Sequence, residues 1–122
     1  MLREAMLAMR VTDMEYAPDI CRLLKAAERD LKSAGVVISG ECDIRITENT
    51  NQETGVVTIT ATDNSTILDE MVQTAMITYA RMHFGSPPDY DRLAASYKLQ
   101  REQLANATGY TDFLDETEAE EP

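Results

Sequence analysis

Histidine occurs once in these 122 residues, cysteine twice, and Lys and Arg together number half of Asp and Glu. Each shortage excludes something. Cys21 and Cys42 stand far apart, with no CxxC spacing and no neighbouring His, so neither a disulfide framework nor a zinc site is signalled. Both are expected to be reduced thiols in or beside the core. No stretch approaches the roughly 18 uninterrupted apolar residues that a membrane span needs. The opening MLREAMLAMR carries Arg3 and Glu4 where a secretion signal keeps an apolar run. The chain is therefore expected to fold in a cytoplasm, with no role for a membrane. GxGxxG, GxxxxGK[ST] and HExxH are all missing, so no nucleotide or zinc-hydrolase motif is present and no cofactor or metal is expected.

The net charge of −11 is unevenly placed. Residues 1–38 balance to zero, residues 39–66 carry −4, residues 67–111 carry −1, and residues 112–122 carry −6 with no basic side chain. Without a basic face there is no electrostatic footprint for DNA or RNA, whose binding rests on neutralising phosphates. Direct, sequence-specific nucleic-acid binding is not expected. The end DFLDETEAEEP repels itself and is expected to be a disordered tail.

Periodicity predicts a mainly α fold: a small antiparallel bundle of about four helices with a β-hairpin inserted between the second and third. The domain should span residues 1–111, with the hairpin at about 39–62 and the tail at 112–122. Leu2, Met6 and Met9 line one side of a first helix of about ten residues, too short to stand alone. Pro18 suits a helix's first turn, and Ile20, Leu23, Leu24, Ala27 and Leu31 follow as a stripe, with Gly35 as a left-handed stop. The period then changes to two: Cys42, Ile44 and Ile46 alternate with polar residues, and so do Val57, Ile59 and Ala61. The polar, Gly-terminated ENTNQETG between them reads as a hairpin turn, with Val36 to Ile38 as a candidate third strand.

A third helix is predicted from near Ile67 to Phe84. Leu68, Met71, Val72, Ala75, Tyr79, Met82 and His83 share a broad face, while Ile77, Ala80 and Phe84 gather opposite. A helix apolar on two sides is a buried one, and in a small domain the second side suggests another chain. Gly85, Pro87 and Pro88 enforce a stop, and SPPD reads as the start of a last helix with Ser86 as cap and Asp89 completing a capping box. Tyr90, Leu93, Tyr97 and Leu104 fall on one side of it, and Gly109 is its expected end.

The lone His83 is the natural candidate for chemistry. Catalysis would need a nucleophile and an orienting carboxylate beside it, and no Ser-His-Asp or Cys-His pattern surrounds it. Asp89 and Asp91 diverge at i, i+2 and share neither a proton nor a metal. His83 and Tyr79 read instead as packing residues with polar tips. The chain is not expected to be an enzyme.

Three stretches in order carry a likeness: MRVTD from Met9, PDICRLLKAAERDLKSAGV from Pro18, and ITYARMHFGSPPDYDRLAASYKLQREQL from Ile77, with NATGYTDF after it. The series resembles the small head-tail connector proteins, or head-completion adaptors, of tailed bacteriophages. Y-x-R-x-H-F-G followed by D-Y-D-R-L-x-x-S-Y and T-G-Y-T is its specific part, and the hairpin region and acidic end depart from it. The resemblance implies a structural virion protein at the head-tail junction, assembled in the host cytoplasm. It would form a ring, typically dodecameric and in some cases monomeric until assembled, beneath the portal protein. It would extend the DNA channel and meet the downstream stopper protein. Glu41, Asp43, Glu48 and Glu53 would suit a channel wall that repels passing DNA.

Ring closure requires one patch to meet a different patch on the next subunit. Ile77, Ala80 and Phe84, with Ile44 and Ile46 of the hairpin, are the candidates for that contact. Tyr110, Phe113 and Leu114 are the candidates for the portal. The competing reading is an acidic DNA mimic or other small phage inhibitor, although more than half of the excess acid lies in the last eleven residues rather than over a rigid surface.

Overall fold

The stripe Ile20, Leu24, Ala27 and Leu31 lies on one side of a helix, and the fold is assembled around it. The computed structural model describes the backbone of residues 1–120 and the side chains of residues 1–106. Among these the chain forms four helices, α1 (Leu2–Met9), α2 (Ala17–Ser33), α3 (Glu70–His83) and α4 (Tyr90–Glu120), with an antiparallel hairpin of β1 (Ile44–Thr50) and β2 (Val57–Asp63) between α2 and α3. The expected fold class is the one observed.

Local chemistry sets most boundaries. Arg10 ends α1 in the left-handed region at φ 58°, and Val11 N–H donates to Met6 O at 2.9 Å. The Asp13 carboxylate then accepts Glu15 N–H at 2.9 Å, opening a single 3-10 turn that delivers Pro18 to the first turn of α2. Gly35 at φ +94° closes α2, and Val36 N–H reaches back to Leu31 O at 3.0 Å. That closure draws Val36 into the core beneath the last turn of α2. Val36 to Ile38 consequently form no third strand.

Ile20, Leu24, Leu31 and Met76 are the largest side chains wholly removed from water. Burying each is worth about 1.5–3 kcal/mol, so these side chains of α2 and α3 are a major source of stability. α3 packs against α1, α2 and α4. Most of its two apolar sides is thus covered within one chain, while Met71 stays exposed and Ile77 and Phe84 are half-buried. Thr78, the buried polar residue of this helix, turns its hydroxyl to Thr74 O at 2.9 Å.

The ends of α3 and α4 differ from expectation. Asp69 caps α3 by accepting Met71 N–H at 2.9 Å and Val72 N–H at 3.5 Å, so the helix begins at Glu70 and Leu68 lies outside it. Leu68 is 85% exposed and Met71 58%, not part of the buried face. α4 begins one turn later than SPPD suggests: Tyr90 N–H donates to Pro87 O at 3.3 Å, and Leu93 N–H makes the first helical bond, to Asp89 O at 3.0 Å. Ser86 is therefore not the cap. At its far end α4 runs past Gly109 to Glu120, taking in acidic residues that were expected to be irregular. One Gly inside a helix costs only about 1 kcal/mol relative to Ala, and the next Pro is Pro122.

The base of the hairpin is tied to the helices by a dense set of bonds. Cys42 N–H donates to Glu28 Oε2 at 2.6 Å, Glu41 N–H to Thr66 Oγ1 at 2.9 Å, and Asn64 N–H to Asp43 O at 2.7 Å. Asp63 accepts the Met1 ammonium at 2.7 Å, Leu2 N–H at 2.8 Å and Ser65 N–H at 3.0 Å. Burial acts to raise the Asp63 pKa, but these donors outweigh it and hold the carboxyl far below the usual range. Gly40, at φ +93°, sits in the joint because a Cβ there would lie 2.4 Å from Thr66 O.

Candidate functional site

The aromatic segment at the end of α3 and start of α4 forms a run of rings. Tyr79 and His83, one helical turn apart, have centroids 4.5 Å apart; Tyr79 meets Tyr97 of α4 edge-on at 5.3 Å, and His83 meets Tyr90 at 6.5 Å. At the inner end the Tyr97 hydroxyl donates to Asp30 Oδ2 of α2 at 2.5 Å, and Arg101 Nη1 donates to the same oxygen at 3.2 Å. Burial, followed by that bond to the carboxylate, pushes the Tyr97 pKa upward, so the phenol stays protonated. This group straps α2 to α4 across Tyr79.

His83 itself is exposed and faces a hollow of about 570 Å³ shared with Tyr16, Asp19, Arg22 and Phe84. Its contacts are with the rings of Tyr79 and Tyr90. The hollow offers a carboxylate and a guanidinium, but those two are already paired, Arg22 with Asp19. Among the described residues no group of three His, Cys, Asp or Glu could hold a metal ion. Cys21 and Cys42 are both buried free thiols, and desolvation pushes Cys21 up to about 11 and raises Cys42 as well. Neither is poised as a thiolate at neutral pH.

The candidate contact residues divide. Ala80 is 0% exposed and Ile44 4%, so both belong to the core of their own chain and offer a neighbour almost no surface. The reason is α3's central position for Ala80 and the tied-down hairpin base for Ile44. Ile77, Phe84 and Ile46 are half-buried, and Phe84 spends its ring on Tyr16, edge-on at 5.7 Å. Tyr110, Phe113 and Leu114 lie outside the residues whose side chains are described.

Two features escaped the sequence reading. The first is a shallow groove of about 300 Å³ between α3 and α4, lined by Glu70, Met71, Thr74, Gln100, Gln103 and Leu104. Gln100 Oε1 is buried there without a hydrogen-bond partner, alone among the described side-chain polar atoms. The exposed Met71, with Leu68 just ahead of α3, adds apolar surface beside that acceptor. Misplacing the start of α3 hid it, although Asp69-Glu70 is a legible helix opening. The second is a basic row, Arg22, Lys25 and Arg29, at i, i+3 and i+7 of α2, beside Ile44 and Ile46 of the hairpin. Averaging charge over residues 1–38 concealed it, although only Arg22 of the three is paired with an acid among the described residues.

No protein-family model, curated protein or solved structure matches this chain.

Proposed function

We propose that the chain is a structural connector subunit of a tailed-phage head-tail junction, assembled as a ring beneath the portal protein and meeting the stopper protein below. The observation that carries this reading is the α3–α4 groove, where the exposed Met71 and the unpartnered Gln100 share one lining. A buried acceptor without a donor costs about 1–3 kcal/mol. A neighbouring subunit that covered Met71 would gain the transfer of its surface from water, and a slight opening of the groove would let it offer the Gln100 carbonyl a donor. The residues with the most specific likeness to connectors, Tyr79, His83, Phe84, Tyr90 and Tyr97, are engaged in ring packing, which suits a scaffold. Tyr110, Phe113 and Leu114 remain the proposed portal contacts, and Glu41, Asp43, Glu48 and Glu53 the proposed channel wall.

The test is reconstitution. Purified chain mixed with portal protein from the same genome should co-sediment and add a ring visible by electron microscopy. Met71→Asp should fold normally yet fail to complete the ring, and truncation after Thr108 should remove portal binding. A chain that neither joins the portal nor is needed for virions to attach tails would sink the reading.

A further inference from the structure

The groove between α2 and the hairpin is the other surface that stands out in so acidic a molecule. Its volume is about 430 Å³, and its walls are set by different elements. Arg22, Lys25 and Arg29 form one wall from α2, all three exposed; Ile44 and Ile46 form the other from β1, with Cys21 behind. Arg22 pairs with Asp19 at the rim in an exposed contact of small worth. Lys25 and Arg29 make no ion pair among the described residues. The nearby acids are directed elsewhere: Glu28 accepts Cys42 N–H and lies 3.8 Å from Lys32, and Asp43 lies 4.0 Å from Arg45. A row of cations beside an apolar wall focuses its field outward and concentrates an anionic partner.

The same chain carries a matching ligand. Residues 115–121 contain Asp115, Glu116, Glu118, Glu120 and Glu121 with no basic residue among them. Residues 115–120 end α4, whose last buried side chain among those described is Leu104. We propose that this acidic run of one subunit seats in the Arg22–Lys25–Arg29 groove of the next copy, forming a head-to-tail contact between unlike patches. Such a contact repeats around a ring and closes it when the rotation permits. The proposal rests on the ring reading above, and it leaves Tyr110, Phe113 and Leu114, just ahead of the acidic run, to the portal. It also accounts for a steep charge asymmetry: the −6 of residues 112–122 would be partly neutralised on assembly.

Zero-length carbodiimide coupling of full-length chains tests it. Equal amounts of unlabelled and nitrogen-15-labelled protein are mixed at high concentration, coupled, digested and read by mass spectrometry. The expected products are mixed-isotope peptides joining Lys25 to Asp115, Glu116, Glu118, Glu120 or Glu121. Their yield should collapse in about 1 M salt, where the Debye length is roughly 3 Å. It should fall by roughly tenfold in Arg22→Glu/Arg29→Glu, in line with the effect of like charges brought face to face. Because that variant could lose its fold, the partner change Glu116→Lys/Glu118→Lys is made in a second chain, and mixing the two should restore the hybrid contact. Links confined to one isotope place the acidic run on its own chain and overturn the proposal. Equal coupling at Lys32 and Lys98 shows indiscriminate attraction and also overturns it. Co-sedimentation with portal protein separates the two readings. Portal binding without the mixed links refutes the groove contact alone, and mixed links without portal binding refute the connector assignment alone.

Discussion

The helical body and the hairpin use similar amounts of apolar residue to opposite ends. In the body, Ile20, Leu24, Leu31 and Met76 are fully buried, and nearly every apolar position of α2 finds a partner on α1, α3 or the hairpin base. Along the hairpin, burial decays with distance from the base. Ile44 is closed off, Ile46 and Ile59 are half covered, and Val56 and Val57 are more than half exposed. Cross-strand pairing explains why the hairpin persists without a core of its own. Ile46 opposes Ala61 and Glu48 opposes Ile59 on the side turned to the body, and a Thr-rich row, Thr58, Thr60 and Thr62, occupies the other side. Stability is concentrated in the body, and the hairpin is surface held in place by its base.

The comparison predicts its largest effect at Leu24. Leu24→Ala opens a cavity where nothing can collapse easily, and should cost about 2–5 kcal/mol by urea denaturation. At the joint, Gly40→Ala forces a Cβ against the Thr66 backbone and keeps a positive φ, and should cost about 1–3 kcal/mol. If the joint matters as described, this change will also lower hydrogen-exchange protection in β1 and β2 more than in α2.

Asp63→Ala should cost about 1–3 kcal/mol at neutral pH by leaving Leu2 and Ser65 N–H unpaired. Its sign with pH follows from the depressed folded-state pKa of Asp63. The stabilisation is complete above the unfolded value near 4 and is lost as pH falls toward the much lower folded value. Wild type and variant should therefore differ most above about pH 5 and converge in strong acid. Denaturation midpoints measured from pH 7 to about pH 2 check this, and parallel curves would show that the carboxylate is not what holds the base.

The body was legible in the sequence because its signals are local and agree. Pro18, the stripe from Ile20 to Leu31 and Gly35 all specify the same helix, and two alternating runs around a polar turn specify one hairpin. What sequence could not apportion is which of several apolar sides faces its own chain. Ile77 and Ala80 look alike on a helical wheel, yet the elements packed around α3 cover Ala80 completely and leave Ile77 part exposed. Ile44 and Ile46 alternate identically and both border the groove beside α2, yet the bonds at Glu28, Thr66 and Asp63 close the first into the core and leave the second half-buried. The basic row on α2 was visible at i, i+3 and i+7, but its meaning depended on a wall supplied from β1, about twenty residues away.

The smallest effect should come from the far end of the hairpin, and it probes the contrast most directly. Val57 is 53% exposed and pairs with Thr50, at the open end of a cleft shared with Asp13, Met14, Glu15 and Ile59. Val57→Thr keeps the β-branched shape and the strand preference while replacing a methyl with a hydroxyl that water can satisfy. If this end is only surface, the change should move stability by no more than about 0.5 kcal/mol. A cost above about 1 kcal/mol in the isolated chain would mean that the tip is pressed onto the 3-10 turn in solution, since only a buried methyl carries such a penalty. The hairpin would then be part of the core, and the division between a stabilising body and a presented surface would have to be redrawn at the turn.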